Sequence, residues 1–284
     1  MAVVTLSRFP ADWIVPDWPA PAGVRALVTT RAGGRSAGVY GAADGAGGLN
    51  LGYGAGDAVD AVAANRALLR AHLPAEPRWL RQVHGAQVVD AGEVEAGIEA
   101  DASFTDRADT VAVAMMADCM PVMLADGAGR CVAVAHAGWR GLAAGVLQAT
   151  VRALRARVGQ GARLIAWLGP AIGPDHFEVG PDVRDAMTNC LDGAASAFVH
   201  HVGDRFRADL FWLGRLALRS AGVDAVHGGG ICTYCDAKRF YSHRRDRITG
   251  RHAALIWRVG SEAAGGPVPG DGSAASREPG AVRV

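Results

Sequence analysis

The sequence predicts an α/β protein in which strands and helices alternate along a single domain. Short apolar strand candidates are interleaved with amphipathic helices, and neither an internal repeat nor a linker divides residues 1–258. Half of the residues are hydrophobic and 20% are charged, which is ordinary for a globular chain with a sizeable core. Residues 259–284 are rich in Gly, Pro, Ser and Ala, so we expect a disordered tail after one layered domain.

Apolar runs of strand length, bounded by turn residues, predict the strands. The predicted strands are Val24–Thr30, Val88–Val89, Val111–Met116, Val122–Ala125, Cys131–His136, Leu164–Leu168 and Ala253–Trp257. Between the third and fourth of these, an Asp118-Cys119 pair is followed by Pro121, which we expect to interrupt the chain between two strands.

Apolar residues at helical spacing predict four helices. One runs from about Ala58 to Leu73 with Asp57 as its N-cap, and another runs from Gly141 to Val158. A third begins at Pro181, and a fourth is capped by Asp209. The segment Arg31–Gly56 is rich in glycine and alanine and is longer than most connections, which indicates a surface lid or binding loop.

Composition and charge exclude several classes of protein. The net charge of +1 gives no reason to expect nucleic acid or an anionic membrane as a partner. No apolar run approaches the roughly 20 residues that span a bilayer. The first 21 residues contain prolines and aspartates and do not resemble a signal peptide. The five cysteines are therefore expected to be reduced thiols in a cytoplasmic protein.

The stretch from Cys131 to Gly141 is the least generic part of the sequence. Alternation along it places Val132, Val134 and His136 on one face of a strand. A glycine-flanked helix start follows, which would offer backbone N–H groups to an anion. Taken alone, such a histidine is more often a core residue with a hydrogen bond than a functional one.

His84, Cys119 and His136 each lie where a strand candidate meets a loop, and their chemistry allows three interpretations. Two imidazoles and a thiolate can hold zinc and leave a fourth position open. The same residues could form a nucleophilic pair in which His136 activates Cys119. They could also be three reduced core residues without a joint role. Their spacing follows no compact motif, so the residues alone leave these interpretations comparable.

Arg66 interrupts the apolar stripe of the first predicted helix. A guanidinium in a buried stripe is costly unless an anion pairs with it. It therefore indicates either an internal salt bridge, a stem that reaches outwards to solvent, or a site for a bound anion.

The sequence resembles the YfiH-like family, also described as laccase-domain proteins and as purine nucleoside phosphorylases. The resemblance runs in order from about residue 24 to residue 257. Six motifs carry it: Gln82-Val-His84-Gly85, Ala117-Asp118-Cys119-Met-Pro121, His136-Ala-Gly-Trp-Arg-Gly141, Gly169-Pro-Ala-Ile-Gly173, Tyr241-Ser-His-Arg-Arg245 and Thr249-Gly-Arg251.

The resemblance implies a layered α/β domain with mixed β-sheets covered by helices. It implies a metal held by His84, Cys119 and His136. It also implies action on purine nucleosides, namely phosphorolysis of adenosine, inosine and methylthioadenosine and hydrolytic deamination of adenosine. Other activities associated with the family are copper-dependent oxidation of phenols and a hydrolase role in trimming wrongly built peptidoglycan precursors.

The residues are more consistent with a zinc-dependent nucleoside enzyme than with a copper-dependent laccase. As a Lewis acid, zinc can lower the pKa of water for attack at the purine C6 position. A multicopper oxidase needs several copper sites, whereas the remaining histidines show no evident pairing. Copper could still bind this donor set in vitro because its intrinsic affinity exceeds that of zinc. A non-catalytic protein that binds metal or nucleoside is the third alternative.

Further roles are assigned to residues of the matched motifs and to two residues outside them. Asp118 and His136 are candidates for catalysis beside Cys119, with Asp118 acting either as a proton shuttle or as an orienting group. The expected contacts to phosphate, ribose or base are Asn50, Arg66, Gln82, Arg140, Arg245 and Arg251. The partners expected are thus a purine nucleoside and phosphate, bound by a monomer or small homo-oligomer.

Two features fit this assignment less well. Cys232-Thr-Tyr-Cys235 is a CxxC motif, but no second CxxC or adjacent pair of histidines accompanies it, so we do not predict a second metal site. His243 stands where the family pattern predicts an aromatic residue, which makes ligand contacts there less secure.

Overall fold

The computed structural model describes residues 9–260, and the predicted tail from residue 261 onwards lies outside them. The strands are β1 (Val24–Val28), β2 (Ala32–Ser36), β3 (Val88–Asp90), β4 (Ala102–Thr105), β5 (Ala112–Met116), β6 (Met120–Asp126), β7 (Val132–Ala137), β8 (Leu164–Leu168), β9 (Glu178–Val179), β10 (Phe198–His200), β11 (Phe206–Ala208), β12 (Ala225–Gly228) and β13 (His252–Arg258). The α-helices are α1 (Val59–Arg70), α2 (Trp139–Ala143), α3 (Val146–Val158), α4 (Pro181–Cys190), α5 (Leu210–Ser220) and α6 (His243–Asp246).

The largest sheet has six strands in the order β12-β8-β6-β7-β4-β3. The outer pairs β12–β8 and β3–β4 are parallel, whereas β6 pairs antiparallel with both β7 and β8. Every residue of β6, β7 and β8 is buried. These strands are covered on both faces, which is why they read as continuous apolar runs in the sequence.

The two faces of this sheet pack against different layers. On one face, Leu147 and Leu154 of α3 belong to the same core cluster as Ala133 and Ala135 of β7. On the other face lies a second, antiparallel sheet with the strand order β1-β13-β5. The structure thus confirms a layered α/β architecture with mixed sheets.

Helix α1 covers the far side of the second sheet. Leu69 of α1 packs in a cluster with Leu255 and Trp257 of β13. The order of layers is therefore helices, six-stranded sheet, three-stranded sheet and helix. A small antiparallel sheet of order β10-β11-β9 completes the described part of the chain.

Two buried histidines face the layer between the six-stranded sheet and the β1-β13-β5 sheet, which are called the two large sheets below. His136 follows Val132 and Val134 at alternate positions of β7, as the sequence predicted, and those valines lie in the cluster between the sheets. His252 shares its face of β13 with Ala254 and Ile256, which belong to the same cluster. The inter-sheet layer therefore holds one histidine from each sheet.

The predicted starts of two helices are confirmed, whereas one predicted helix and the predicted effect of Pro121 are corrected. Pro181 occupies the first turn of α4, and the Asp209 side chain caps α5 by accepting from the Trp212 N–H at 2.9 Å. The helix predicted from Gly141 to Val158 is two helices, because Gly145 adopts φ +83° between α2 and α3. Pro121 lies inside β6 and does not interrupt it.

The start of α1 and the long loop before it also differ from the prediction. Ala58 is the N-cap residue of α1, and no side chain caps this helix. The Asp57 carboxylate instead accepts a hydrogen bond from the Asn50 side chain at 3.0 Å. The segment Arg31–Gly56 contains β2 and two short 3-10 turns, so it is partly ordered by its own secondary structure. Among residues 9–260, no helix combines the length and apolarity needed to cross a bilayer.

Candidate metal centre and cavity

The structure brings the three predicted metal ligands together. Pairing of β6 with β7 sets Pro121 opposite His136, so Cys119, in the turn before β6, lies beside the end of β7. His84 reaches the same point from a loop in which its own φ is +61°. The ligand atoms of the three residues all lie within 4.8 Å of one another. This separation suits three ligands of one metal ion better than three independent core residues.

Gly138 permits this close approach. A Cβ atom at this position would lie 2.7 Å from the Cys119 sulfur and 3.4 Å from Cδ2 of His84. Real Cβ atoms do not come this close to a neighbouring sulfur, so any larger residue would displace the thiol. The glycine that opens the predicted helix start is therefore required by the side chains around it.

Asp101 supports the centre from behind, and no motif or periodicity pointed to this residue. Its Oδ1 accepts from Nδ1 of His136 and from the His84 backbone N–H, both at 2.9 Å. Its Oδ2 accepts from the Gly85 N–H at 2.7 Å and the Val83 N–H at 3.1 Å. Because a carboxylate only accepts, His136 carries a proton on Nδ1, so Nε2 is the nitrogen that can bind a metal once the ring is neutral.

The charges at the centre favour metal binding. Burial tends to raise the pKa of the Cys119 thiol, but His136 and His84 more than offset it and bring that pKa to about 6. Burial tends to lower the pKa of His136, but the Cys119 thiolate and Asp101 raise it to about 9. Without a metal the pair is thus a thiolate and an imidazolium at neutral pH. The thiolate is already the form that a metal needs.

Asp118 holds neighbouring loops against the centre. It adopts φ +88° beside Cys119. Its carboxylate accepts from Oγ1 of Thr233 at 2.6 Å, from Oγ of Ser242 at 3.1 Å and from the Arg244 N–H at 2.6 Å. These hydrogen bonds join Asp118 to Thr233, Ser242 and Arg244, and its role as a proton shuttle or an orienting group stays a prediction.

A cavity of about 930 Å³ opens over the three candidate metal ligands. His84 is exposed, Cys119 is half-buried and His136 is buried, so the centre faces the cavity from one side. Of the predicted contact residues, Arg66, Gln82, Arg140 and Arg251 line the cavity, as do the three ligands and Asp118. A volume of this size is typical of a site for a small molecule.

Arg66 lies in an aromatic clamp on one side of the cavity. Its guanidinium carbon is 4.4 Å from the centroid of Tyr53 and 3.8 Å from that of Trp79. Its Nε donates to the Leu51 carbonyl at 2.9 Å. Within residues 9–260, its terminal nitrogens have only a Met115 sulfur at 3.9 Å as a partner. No internal salt bridge neutralises Arg66 there, and burial lowers its pKa.

Arg251 and Gln82 lie closer to the centre. Nη1 of Arg251 donates to the carbonyls of Thr249 and Gly250, at 2.8 and 3.0 Å. Burial lowers the pKa of Arg251, while the charges of Cys119 and Asp118 act in the opposite direction. The Gln82 amide makes two hydrogen bonds to the backbone of Met115, at 2.8 and 2.7 Å, and thereby fixes the wall between the centre and Arg66.

Residues of α2, of the segment before β9 and of α6 form another part of the cavity lining. Here the guanidinium of Arg140 lies over Trp139 at 4.4 Å, and that of Arg244 lies over Phe177 at 5.5 Å. Ile172 adds an apolar surface. Apart from Arg140, none of these residues was predicted to bind substrate, because an aromatic or arginine residue in a loop carries no signal of its direction.

Asn50 and Arg245 lie away from the cavity lining. Asn50 is fully buried, and its Oδ1 accepts from the N–H groups of Gly52 and Arg251 at 3.0 and 2.8 Å. Arg245 donates to the carbonyls of Thr233, Tyr234 and Phe240, each at 2.9 Å. Asn50 joins segments that are distant in sequence, whereas Arg245 holds the nearby chain between Thr233 and Phe240.

This fold and centre define a layered α/β protein with a candidate site for one metal ion. The family model described as multi-copper polyphenol oxidoreductase laccase matches residues 25–259. The chain belongs to this family, the YfiH-like or laccase-domain proteins, which confirms the resemblance found in the sequence.

The chain is similar to relatives that are named as purine nucleoside phosphorylases, and the similarity covers nearly the whole length of each relative. One from Pseudomonas aeruginosa is 50% identical over 246 residues, which are 86% of this chain and 98% of the relative. Purine nucleoside phosphorylase YfiH of Escherichia coli is 46% identical over 249 residues, which are 87% of this chain and 98% of the relative. These names support an enzymatic role with a small-molecule substrate.

Solved structures share the fold. Protein NMB0706 of Neisseria meningitidis superposes with a TM-score of 0.80 at 45% identity, over 88% of this chain and all of that one. YlmD of Geobacillus stearothermophilus also gives a TM-score of 0.80, at 30% identity, over 90% of this chain and 99% of that one.

Proposed function

We propose that this protein is a zinc-dependent purine nucleoside enzyme that phosphorolyses adenosine, inosine and methylthioadenosine and deaminates adenosine. The observation that carries the proposal is a His-Cys-His metal centre in the floor of a cavity lined by arginine and aromatic side chains. The names of the relatives in Pseudomonas aeruginosa and Escherichia coli support the phosphorolysis.

His84, Cys119 and His136 would hold the metal, because their donor atoms and their separation fit a three-ligand site. When bound, zinc supplies a Lewis acid at the floor of the cavity. Asp101 keeps Nε2 of His136 directed at the site by accepting from Nδ1. Such support of a ligand histidine is typical of catalytic metal sites.

Phosphorolysis requires phosphate near C1′ of the ribose, and we assign phosphate to the side of the cavity with Arg66 and Arg251. Both guanidiniums are partly buried, and burial lowers the pKa of each, so both would gain from an anion. Both residues contact Leu51, since the Arg66 side chain donates to the Leu51 carbonyl and the Leu51 N–H donates to the backbone carbonyl of Arg251 at 2.9 Å. Phosphate bound between them would be neutralised from two directions.

The purine is assigned to the part of the lining formed by Trp139, Ile172 and Phe177. Flat apolar surface suits a base, and Arg140 and Arg244 at its rim can donate to ring nitrogens or to a carbonyl at C6. The nucleoside then spans the metal centre between the two parts of the lining. Asn50 and Arg245 are assigned positioning roles, because their hydrogen bonds fix the loops that carry the contact residues.

The reaction is tested by incubating the zinc-loaded protein with adenosine, with and without phosphate, and separating the products. Adenine together with ribose 1-phosphate shows phosphorolysis, and inosine with ammonia shows deamination. Absence of both, together with oxidation of phenols that depends on added copper, would establish the copper-dependent phenol oxidase in its place.

The phosphate assignment is tested with Arg66→Gln. We expect the KM for phosphate to rise by about tenfold or more, since a charge-assisted hydrogen bond is lost, while the KM for nucleoside changes little. Arg70→Gln is the matched control, because Arg70 lies one turn further along α1 and donates to the Leu73 carbonyl away from the cavity. A selective rise in the KM for nucleoside would mean that the nucleoside, and not phosphate, binds beside Arg66.

A further inference from the structure

The CxxC motif forms a turn in which the two thiols lie side by side. The Cys232 sulfur is half-buried and accepts from the Gly173 N–H at 3.2 Å and from the Cys235 N–H at 3.4 Å. Cys235 is exposed, and hydrogen bonding to the Cys232 sulfur raises its pKa. One thiol is thus open to solvent, and its neighbour is held by backbone donors within contact distance.

We propose that Cys232 and Cys235 form a reversible disulfide and that this turn is a redox modification site, a role that goes beyond the nucleoside chemistry. The oxidant would be a low-molecular-weight disulfide. The exposed Cys235 thiol loses its proton, attacks the disulfide, forms a mixed disulfide and releases one small thiol. The Cys232 thiolate then attacks the Cys235 sulfur, forms the internal disulfide and releases the second small thiol. The dithiol loses two electrons, the small disulfide gains them, and the two thiol protons end on the released thiols.

The contacts of the turn connect this site to the cavity. Thr233, between the two cysteines, donates to Asp118, the neighbour of the metal ligand Cys119. Gly173, which donates to the Cys232 sulfur, follows Ile172 of the cavity wall.

A second link runs through Tyr234. Its ring stacks on His176 at 4.1 Å, and His176 precedes Phe177 of the cavity wall. A disulfide draws the Cys232 sulfur towards Cys235 and weakens its acceptance from Gly173. Oxidation would therefore loosen the segment 172–177.

The other cysteines provide internal controls. Cys131 is fully buried, and burial raises its pKa to about 12, so it should not react. Cys190 is exposed at the end of α4, but no second thiol accompanies it among the described residues. Cys119 is protected in the zinc-loaded protein if it is a metal ligand. The 232–235 pair is thus the one place in residues 9–260 where an internal disulfide is favoured.

The experiment equilibrates the full-length, zinc-loaded protein in buffers of oxidised and reduced glutathione, blocks free thiols and maps peptides by mass spectrometry. Trypsin releases residues 220–238 as one peptide, whose only cysteines are Cys232 and Cys235. We expect this peptide to lose two hydrogens in oxidising buffer and to regain them with dithiothreitol. A peptide that remains a dithiol, or that carries only glutathione adducts, in fully oxidised glutathione would overturn the proposal.

Hydrogen exchange tests the connection to the cavity without any assay of activity. In the oxidised protein, we expect the amide of Gly173 and its neighbours up to Phe177 to exchange about threefold faster or more, because the Gly173 hydrogen bond is weakened. Cys235→Ser should abolish both the internal disulfide and this difference. Unchanged exchange in fully oxidised wild-type protein would refute the connection. Because neither readout uses a nucleoside, this proposal can fail while the proposed function stands, and the reverse also holds.

Discussion

His136 and His252 face the same layer between the two large sheets, yet their surroundings give them opposite properties. His136 has a carboxylate on Nδ1 and a thiolate nearby, and its pKa rises to about 9 despite burial. His252 lies among Phe240 and Tyr241, and neither ring nitrogen has a partner among the described residues. Burial and then the charge of Arg251 lower its pKa to about 3. Burial is common to both histidines, so the partners decide which one can serve a metal.

Two cysteines show the same contrast. Two histidines bring the pKa of the Cys119 thiol to about 6, although burial opposes this. The pKa of the Cys131 thiol is raised to about 12, first by burial and then by the negative charges of Asp106, Asp126 and Asp90. A thiolate is the metal ligand and the nucleophile, so only the first cysteine is prepared for chemistry.

The largest expected effect comes from removing the thiolate. Cys119→Ala should lose most bound zinc in elemental analysis, and kcat/KM should fall by about a thousandfold, because a Lewis acid contributes several kcal/mol to such reactions. Cys131→Ala is the core control and should cost about 1 kcal/mol in the free energy of unfolding while retaining zinc. Full zinc retention in Cys119→Ala would remove Cys119 from the ligand set.

The next effect concerns the carboxylate behind the centre. Asp101→Asn should weaken zinc affinity by about 10- to 100-fold, because Nδ1 of His136 loses its anionic acceptor. Asp126→Asn is the matched control, since Asp126 is also buried and accepts backbone N–H groups of Arg130 and Cys131 far from the ligands. Equal loss of zinc affinity in both variants would show that general destabilisation is responsible.

The third prediction tests His252 through the pH dependence of stability. Since its pKa is about 3 in the folded protein and about 6.5 when unfolded, the unfolded state binds more protons between these values. Between pH 7 and pH 5 the free energy of unfolding should therefore fall by about 2 kcal/mol through this residue alone.

Urea denaturation of wild type, His252→Leu and the surface control His200→Leu at both pH values measures this difference. The His252 variant should lose about 2 kcal/mol less than wild type on acidification, whereas the His200 variant should follow wild type. An identical slope in wild type and His252→Leu would mean that His252 has a partner in solution.

The smallest signal is the proton released when zinc binds. At pH 7.5 the metal-free centre holds a Cys119 thiolate and a protonated His136, so about one proton should be released per zinc ion. Calorimetric titration in two buffers of different ionisation enthalpy measures this number. Release of no proton would contradict a protonated His136 in the metal-free protein.

Strands β1, β3, β5, β6, β7, β8 and β13 and most helices followed from local pattern, because burial on one or both faces leaves a direct trace in the order of apolar residues. Strands β2, β4, β9, β10, β11 and β12 and helix α6 were not predicted. The residue type at the start of a helix did not by itself predict whether its side chain caps that helix. Asp209 caps α5 as predicted, whereas Asp57 binds Asn50 and leaves α1 without a side-chain cap. The break at Gly145 was also missed, since a glycine inside an amphipathic stretch does not reveal its φ angle.

The sequence by itself determined the residue types of the centre, two histidines and a cysteine at the ends of apolar segments, and the family to which the chain belongs. Only the tertiary structure decided that Asp101 supports His136, that Tyr53 and Trp79 enclose Arg66, and that Asn50 and Arg245 lie off the cavity. The residue types of a motif can be identified directly from the sequence. The direction of a polar side chain is set by long-range strand pairing and loop packing, which leave no periodic trace in the sequence.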